Sequence, residues 1–181
     1  MNWLDYLAGY VLGDGYLYHY AKEGKYFIRM ADRDEVFLRH LQKQIYENLG
    51  YKGHIYRLGR KNAWVLEYSN KKLYTALSEK IPILLNDPTR EFVAGIIDAE
   101  GSLQIPKKGS IRLVVVNTNT AILNAVKKIL AEIGIMTAVK LYGRKKENER
   151  QRYRLIIYGK RNVEKVLKTL PLQHPKFHKP F

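Results

Sequence analysis

Two acids, Asp14 and Glu100, each stand just before a glycine at the end of an apolar, helix-spaced run: LAGYVLGDG at 7–15 and VAGIIDAEG at 93–101. A carboxylate at the C-terminal end of a helix faces a backbone dipole that is already negative, so the placement costs stability unless something positive offsets it. Two such acids brought together also repel and raise each other's pKa unless a cation intervenes. Hard divalent ions such as Mg²⁺ take oxygen ligands, few of them from protein and the rest from water and phosphate. Asp14 and Glu100 suit that chemistry. The chain has no cysteine, which excludes disulfides and thiolate metal sites and leaves oxygen or imidazole as the only ligands. His174 and His178 have a spacing metals can use, but with no further ligands beside them they are read as bystanders.

Charge names the class of partner. Thirty-two Lys and Arg against 17 Asp and Glu give a net charge of +15 over 181 residues, which calls for a polyanion. Nucleic acid is the first candidate and an anionic membrane surface the second. No apolar run reaches spanning length and no leader stands at the N-terminus, so a protein of the cytoplasm, acting on the nucleoid, is expected. A hydrophobic content of 46% is ample for a core.

The elements that must position the acids follow from periodicity. Residues 3–12 read as a helix, with Trp3, Tyr6, Leu7, Tyr10 and Val11 at helical spacing and Asn2 as its cap. Aromatic-rich strands at 16–20 and 26–31 form a hairpin. Asp32 or Asp34 caps a second helix, whose stripe is Val36, Phe37, Leu41, Ile45 and Leu49 and whose stop is Gly50. Strands at 54–58 and 63–69 flank a basic turn, a helix spans 71–81, and Pro82 and Pro88 bracket a linker.

From Thr89 the order repeats: helix 89–99, hairpin 102–117, helix 118–133 stopped by Gly134, strands 136–142 and 152–158, and helix 160–170. Asp14-Gly15 and Glu100-Gly101 stand 86 positions apart, and Leu58-Gly59-Arg60-Lys61 faces Tyr142-Gly143-Arg144-Lys145. The expected organisation is a repeat at 1–81, a linker at 82–88, a second repeat at 89–171 and an aperiodic, frayed tail at 172–181. Each half alone is too small to cover both faces of its sheet, so the halves must pack on one another.

The paired nonapeptides resemble the signature motifs of the LAGLIDADG homing endonucleases in their single-chain, two-motif form, and the element order matches that family's αββαββα repeat. The likeness spans nearly the whole chain. It implies an α+β fold of two pseudo-symmetric αββαββα repeats, with antiparallel sheets forming a DNA-binding saddle and the motif helices packed at the interface. Ala8, Gly9, Ala94 and Gly95 remove the side-chain bulk that would keep those helices apart. Function by resemblance is Mg²⁺- or Mn²⁺-dependent hydrolysis of both strands of a long, approximately palindromic DNA site, leaving short 3′ overhangs, by a monomer encoded in an intron or intein. An RNA maturase with intron RNA as partner, or a DNA-binding regulator without catalysis, are the alternatives on the same fold. The resemblance makes Asp14 and Glu100 the catalytic and metal-binding acids, assisted by the backbone carbonyls of Gly13 and Ala99. It also implies an amide near the end of each second strand and a lysine near the site. Asn117 supplies the first, whereas Asp32 stands at its counterpart with the wrong charge; Lys71 or Lys72, and Lys160, are candidates for the second.

In such a saddle alternate strand residues point at the nucleic acid. The side chains expected to contact DNA are Tyr18, Arg29, Tyr56, Arg60, Lys61, Gln104, Lys107, Lys108, Lys140, Tyr142, Arg144, Gln151, Arg152 and Arg154. From Lys140 to Arg154 the chain carries Lys140, Arg144, Lys145, Lys146, Arg150, Arg152 and Arg154 against Glu147 and Glu149, which predicts a large salt-sensitive term.

Overall fold

In a computed structural model, residues 1–59, 62–106, 109–143 and 150–178 are described. Arg60, Lys61, Lys107, Lys108 and Arg144, which are expected to contact DNA, lie outside the described residues. The element order is α1 (Trp3–Asp14), β1 (Gly15–Tyr20), β2 (Lys25–Asp32), α2 (Glu35–Leu49), β3 (His54–Leu58), β4 (Ala63–Ser69) and α3 (Lys71–Asn86). It then repeats as α4 (Arg90–Glu100), β5 (Gly101–Gln104), β6 (Arg112–Asn117), α5 (Thr120–Glu132), β7 (Val139–Tyr142), β8 (Arg152–Tyr158) and α6 (Lys160–Thr169). Each half is αββαββα, as expected. Both sheets are antiparallel and four-stranded, with matching orders β1-β2-β4-β3 and β5-β6-β8-β7.

Local chemistry sets the boundaries. The side chains of Asn2, Asp34, Asn70, Thr89 and Asn119 each accept a hydrogen bond from a backbone N–H in the first turn of the helix that follows, covering a donor the helix itself cannot pair. The motif acids are themselves the last residues of α1 and α4, two and one residues beyond the helix ends read from periodicity. The chain then passes directly into β1 and β5.

The core is one continuous cluster through both halves, and α1 and α4 are buried at its centre. Their backbones touch. A Cβ on Gly9 would come within 1.9 Å of the Phe92 carbonyl oxygen, and one on Gly95 within 2.1 Å of the Tyr6 carbonyl oxygen. The two glycines are therefore the device that lets the motif helices cross in contact.

Two expectations change. Helix α3 runs through Pro82 to Asn86 and leaves only residues 87–89 between the repeats. Proline removes one intrahelical bond, but Leu84 beyond it is 3% exposed within the core, and that burial holds the last turn. The described part of the tail, residues 172–178, is packed rather than frayed: Leu172, His174 and Phe177 are buried, and a 3₁₀ turn spans Pro175–Phe177. Its apolar anchors sit at irregular spacing, so no helical or strand period marks them.

Candidate active site

Helices α1 and α4 bring their C-terminal acids to one end of the crossing. A Cβ on Gly13 would lie 2.5 Å from Ala99 Cβ and 3.1 Å from Glu100 Cγ, so the last turns of the two motifs are in contact. Burial pushes Glu100 up to about 7, with the neighbouring Asp14 carboxylate adding to the rise. Asp14 is raised as well, by burial first, with the Lys176 charge acting against it. Acids that sit this close without sharing a proton-free state at low cost are receptive to a cation.

Each acid opens onto its own cavity. Asp14 lines one of about 750 Å³ together with Asp32, Arg33, His174 and Lys176, and Glu100 lines another of about 500 Å³ with Gly13, Asn117, Asn119 and Arg152. Asp14 also borders a third, with Tyr16, Arg29 and Tyr56.

Strand register explains what reaches the acids. Asp32 shares the parity of the buried Ile28 and Met30 on β2, and Asn117 that of the buried Leu113 and Val115 on β6, so both side chains face the helices rather than the outer face of their sheet. They are structural counterparts. Oδ1 of each accepts from the amide two residues on, Asp34 at 2.9 Å and Asn119 at 2.8 Å. Their second atoms diverge. Asn117 Nδ2 donates to Glu100 Oε1 at 2.6 Å and fixes that carboxylate. Asp32 Oδ2 instead accepts from the Tyr10 hydroxyl at 2.6 Å and lies 3.4 Å from His174 Nε2. Burial alone would raise Asp32, but the bonds from His174, Tyr10 and the Asp34 amide outweigh it and hold the group at about 2. Asp32 is thus a satisfied anion bound to the helix and the tail.

A second buried acid, Asp98, occupies the motif position that Leu12 fills in the first copy. It accepts from the Tyr6 hydroxyl and the Gln173 amide, both at 2.6 Å. Burial raises its pKa against the pull of those bonds. Asp98 ties both motif helices to the tail.

The predicted lysines lie elsewhere. Lys71 begins α3 with its ammonium 5.5 Å from the Tyr26 ring centre, and Lys160 begins α6, 3.9 Å from Glu164. Neither lines the cavities of the acids. The lysine that lines the Asp14 cavity is Lys176, whose Nζ is 2.5 Å from the Asp98 carbonyl oxygen and 3.4 Å from that of Ala99. The sequence reading makes His174 a bystander and does not single out Lys176, because both sit in an aperiodic tail. The available signal was Asp98, a charge at a buried motif position that needs partners from outside the repeat.

The outer faces of the sheets collect the residues expected to bind DNA. Register puts Tyr18 opposite Phe27, Arg29 opposite Tyr16, Tyr56 opposite Val65, Gln104 opposite Arg112, Lys140 opposite Arg154 and Tyr142 opposite Arg152. Tyr16, Tyr18, Arg29, Lys140, Tyr142, Arg152 and Arg154 alternate with the most deeply buried strand positions, whereas Tyr56 stands opposite the buried Val65 and Arg112 shares its parity with the buried Val114. Arg152 and Arg154 lie 5.6 and 5.2 Å from the Tyr142 ring centre. Arg29 is paired with Glu67, which also accepts from the Tyr56 hydroxyl at 3.2 Å. Gln151 stands just before β8 and donates to the Arg152 carbonyl at 2.9 Å.

Among the described residues no three His, Asp or Glu side chains converge into a self-sufficient cage. Two carboxylates with adjoining helix-end carbonyls fit a hard cation that completes its shell with water and phosphate. No helix of the described residues is long and apolar enough to cross a membrane.

The chain is similar to known proteins in sequence and in fold. The chain is 26% identical over 174 residues to glutamine–fructose-6-phosphate aminotransferase of Methanocaldococcus jannaschii, a match covering 87% of this chain but spanning only 15% of that relative's length. A solved structure of mesophilic variants of the homing endonuclease I-DmoI superposes with a TM-score of 0.74 at 22% identity and covers 96% of each chain. I-DmoI has also been solved in complex with DNA and Ca, with a TM-score of 0.70 over 93% of this chain and 88% of that one. Full-length DUF199/WhiA from Thermatoga maritima matches with a TM-score of 0.65 at 15% identity over 97% of this chain and 57% of that one. At these identities the superpositions establish the fold. The family model for the LAGLIDADG-like domain matches twice, at residues 4–82 and 87–171, once for each repeat. With both acid-bearing motifs inside those matches, the chain belongs to the LAGLIDADG-like domain family.

Proposed function

We propose that the chain is a metal-dependent, site-specific endonuclease that cuts both strands of double-stranded DNA within a long, approximately palindromic site. The observation that carries this reading is the contact of the two motif helix ends, which sets Asp14 and Glu100 side by side, each at its own cavity. Asp14 and Glu100, with the carbonyls of Gly13 and Ala99, would hold Mg²⁺ or Mn²⁺. When bound, such an ion supplies Lewis-acid polarisation of phosphoryl oxygen and a water acidic enough to attack near neutral pH.

The chain's own residues do the rest. Asn117 holds the Glu100 carboxylate in one orientation. Arg152, which lines the Glu100 cavity, supplies positive charge where a phosphate would run, while Arg29, which lines a cavity with Asp14, is already paired with Glu67. Residues on the two outer strand faces bind the duplex, and two-stranded ribbons of this kind enter the major groove, where base edges are distinguishable. The halves are pseudo-symmetric but unequal, with Asn117 in one and Asp32 in the other, so the two half-sites differ. A likeness to a small part of a long aminotransferase supports a unit carried inside a host gene. Action as a monomer with both motifs in one chain, and 3′ overhangs, belong to the same reading.

Incubation with the host allele lacking the insertion, in Mg²⁺, tests the proposal. Cleavage of both strands within one site is the expected result. Selective binding of the host's intron RNA with no DNA cut would favour the maturase, and tight DNA binding with no cut in Mg²⁺ or Mn²⁺ would favour a regulator.

A further inference from the structure

The tail clamps the motif end of the helices, and one of its lysines, Lys176, is placed where a cation would go. Leu172, His174 and Phe177 are 5%, 7% and 3% exposed. The Gln173 amide is bound to Asp98, and His174 lies against Asp32 with its ring stacked on Phe37, centres 4.3 Å apart. Phe177 packs against Gly101, the residue after the second motif acid, where a Cβ would approach its ring to 3.0 Å. Lys176 lies between these anchors, so its placement is dictated by residues on both sides of it. Its Nζ bonds the Asp98 and Ala99 carbonyl oxygens at the C-terminal end of α4 and borders the Asp14 cavity.

Helix-end carbonyls lack intrahelical donors and stand at the negative pole of the dipole. With Asp14, Asp32, Asp98 and Glu100 around them, they form a centre of negative potential. Burial lowers the pKa of Lys176 while these four carboxylates act to keep it charged.

We infer that Lys176 is a tail-borne counter-cation of the motif acids, occupying the Ala99 carbonyl and thereby weakening the site's hold on a divalent ion. The inference rests on the metal-site reading given above. Lys176 is a positioning residue: it acts on a metal ion through shared carbonyl and carboxylate oxygens and through charge. One motif acid is thereby served by a fixed protein charge, which lets the acids approach in the metal-free protein and leaves the ion loosely held until phosphate oxygens join it. The family resemblance leads to a lysine sought on the strands or helices of the repeats; here the tail outside both repeats provides it.

Calorimetric titration of the full chain with Mn²⁺ at pH 8, without DNA, tests this. Lys176→Met and Lys176→Gln are each expected to bind Mn²⁺ about tenfold more tightly than the parent, through loss of a like charge at short range. Lys176→Arg keeps the charge and is expected to stay within about twofold. A lysine that served only to pin the tail would give the opposite sign, since freeing the tail disorders the site and loosens Mn²⁺. Lys176→Gln retains a donor for the carbonyls and keeps the fold if Met does not. Unchanged or weaker Mn²⁺ binding in Lys176→Gln overturns the inference, as does a parent that takes up no Mn²⁺ at millimolar concentration. Parallel assay of the parent on the host allele separates the two ideas. Tighter Mn²⁺ binding in the variants with no DNA cut by the parent retains Lys176 and discards the nuclease, and the reverse pattern discards Lys176 alone.

Discussion

Glu100→Gln is expected to abolish double-strand cleavage while making the metal-free protein more stable. Removing one carboxylate from a site that would use it to hold a metal ion forfeits about 4 kcal/mol of barrier lowering, roughly a thousandfold in rate. Asp14→Asn should match it. Affinity for DNA should change only a few-fold, because phosphate contacts by the basic strand faces carry most of the binding. The stability change has the opposite sign to the loss of activity. Glu100 sits at about 7 in the folded protein against an ordinary 4.5, through burial and then Asp14. A raised acid stabilises the fold fully below about pH 4.5 and loses that contribution as pH rises through about 7. Above pH 7 the buried charge is therefore a burden on the metal-free protein, and the neutral amide removes it. For this half-buried group the gain at pH 8 is about 1 kcal/mol after solvent screening. Melting temperature should rise by about 2–4 °C. Strand-resolved cleavage assays and metal-free calorimetry at pH 5 and pH 8 check both halves; a variant that cuts at the parental rate, or that is less stable only at pH 8, contradicts the assignment.

Gly95→Ala is expected to destabilise the protein by about 3 kcal/mol despite alanine's better helix propensity. Two effects compete. Propensity favours Ala by about 1 kcal/mol in a helix interior. Against it, the new Cβ would stand 2.1 Å from the Tyr6 carbonyl oxygen and 2.7 Å from the Tyr10 amide nitrogen, atoms of the facing backbone that cannot swing aside as a side chain could. Steric overlap therefore wins, and the helices must separate. The melting temperature should fall by about 6–12 °C. Because the acids ride on the same two helices, cleavage should fall too. Gly59→Ala is the control, since among the described residues no atom beyond its chain neighbours lies within 4 Å of the added methyl, and it should leave stability nearly unchanged. Equal melting temperatures for Gly95→Ala and the parent would show that the crossing tolerates an extra methyl.

The periodic parts of this chain were legible before any coordinates. Alternation in the strands and the 3.6-residue stripe of α2 gave the repeat, and the recurrence of Ala-Gly pairs gave the helix crossing. Strand parity also separates most of the described strand residues expected at DNA from the deepest core positions, though Tyr56 stands opposite the buried Val65. Features without a period were hidden. Pro82 reads as a breaker because local propensity cannot see Leu84 buried beyond it. Asp32 reads as a misfit where an amide is expected, because its partners Tyr10 and His174 lie 22 and 142 positions away in the chain. The tail anchors Leu172 and Phe177 are buried by contacts with the finished core rather than by any pattern of their own. The acids were legible from spacing; the cation beside them was not, since it comes from outside both repeats.

The central claim is that Asp14 and Glu100 together form the metal site at which DNA is cut. Anomalous diffraction from a crystal of the full chain with its DNA site and Mn²⁺ tests it most directly. Mn²⁺ peaks bound by the Asp14 and Glu100 carboxylates, and touching the phosphates on the two strands, are the expected result. Mn²⁺ found away from both carboxylates, with intact DNA lying across the helix ends, would contradict it.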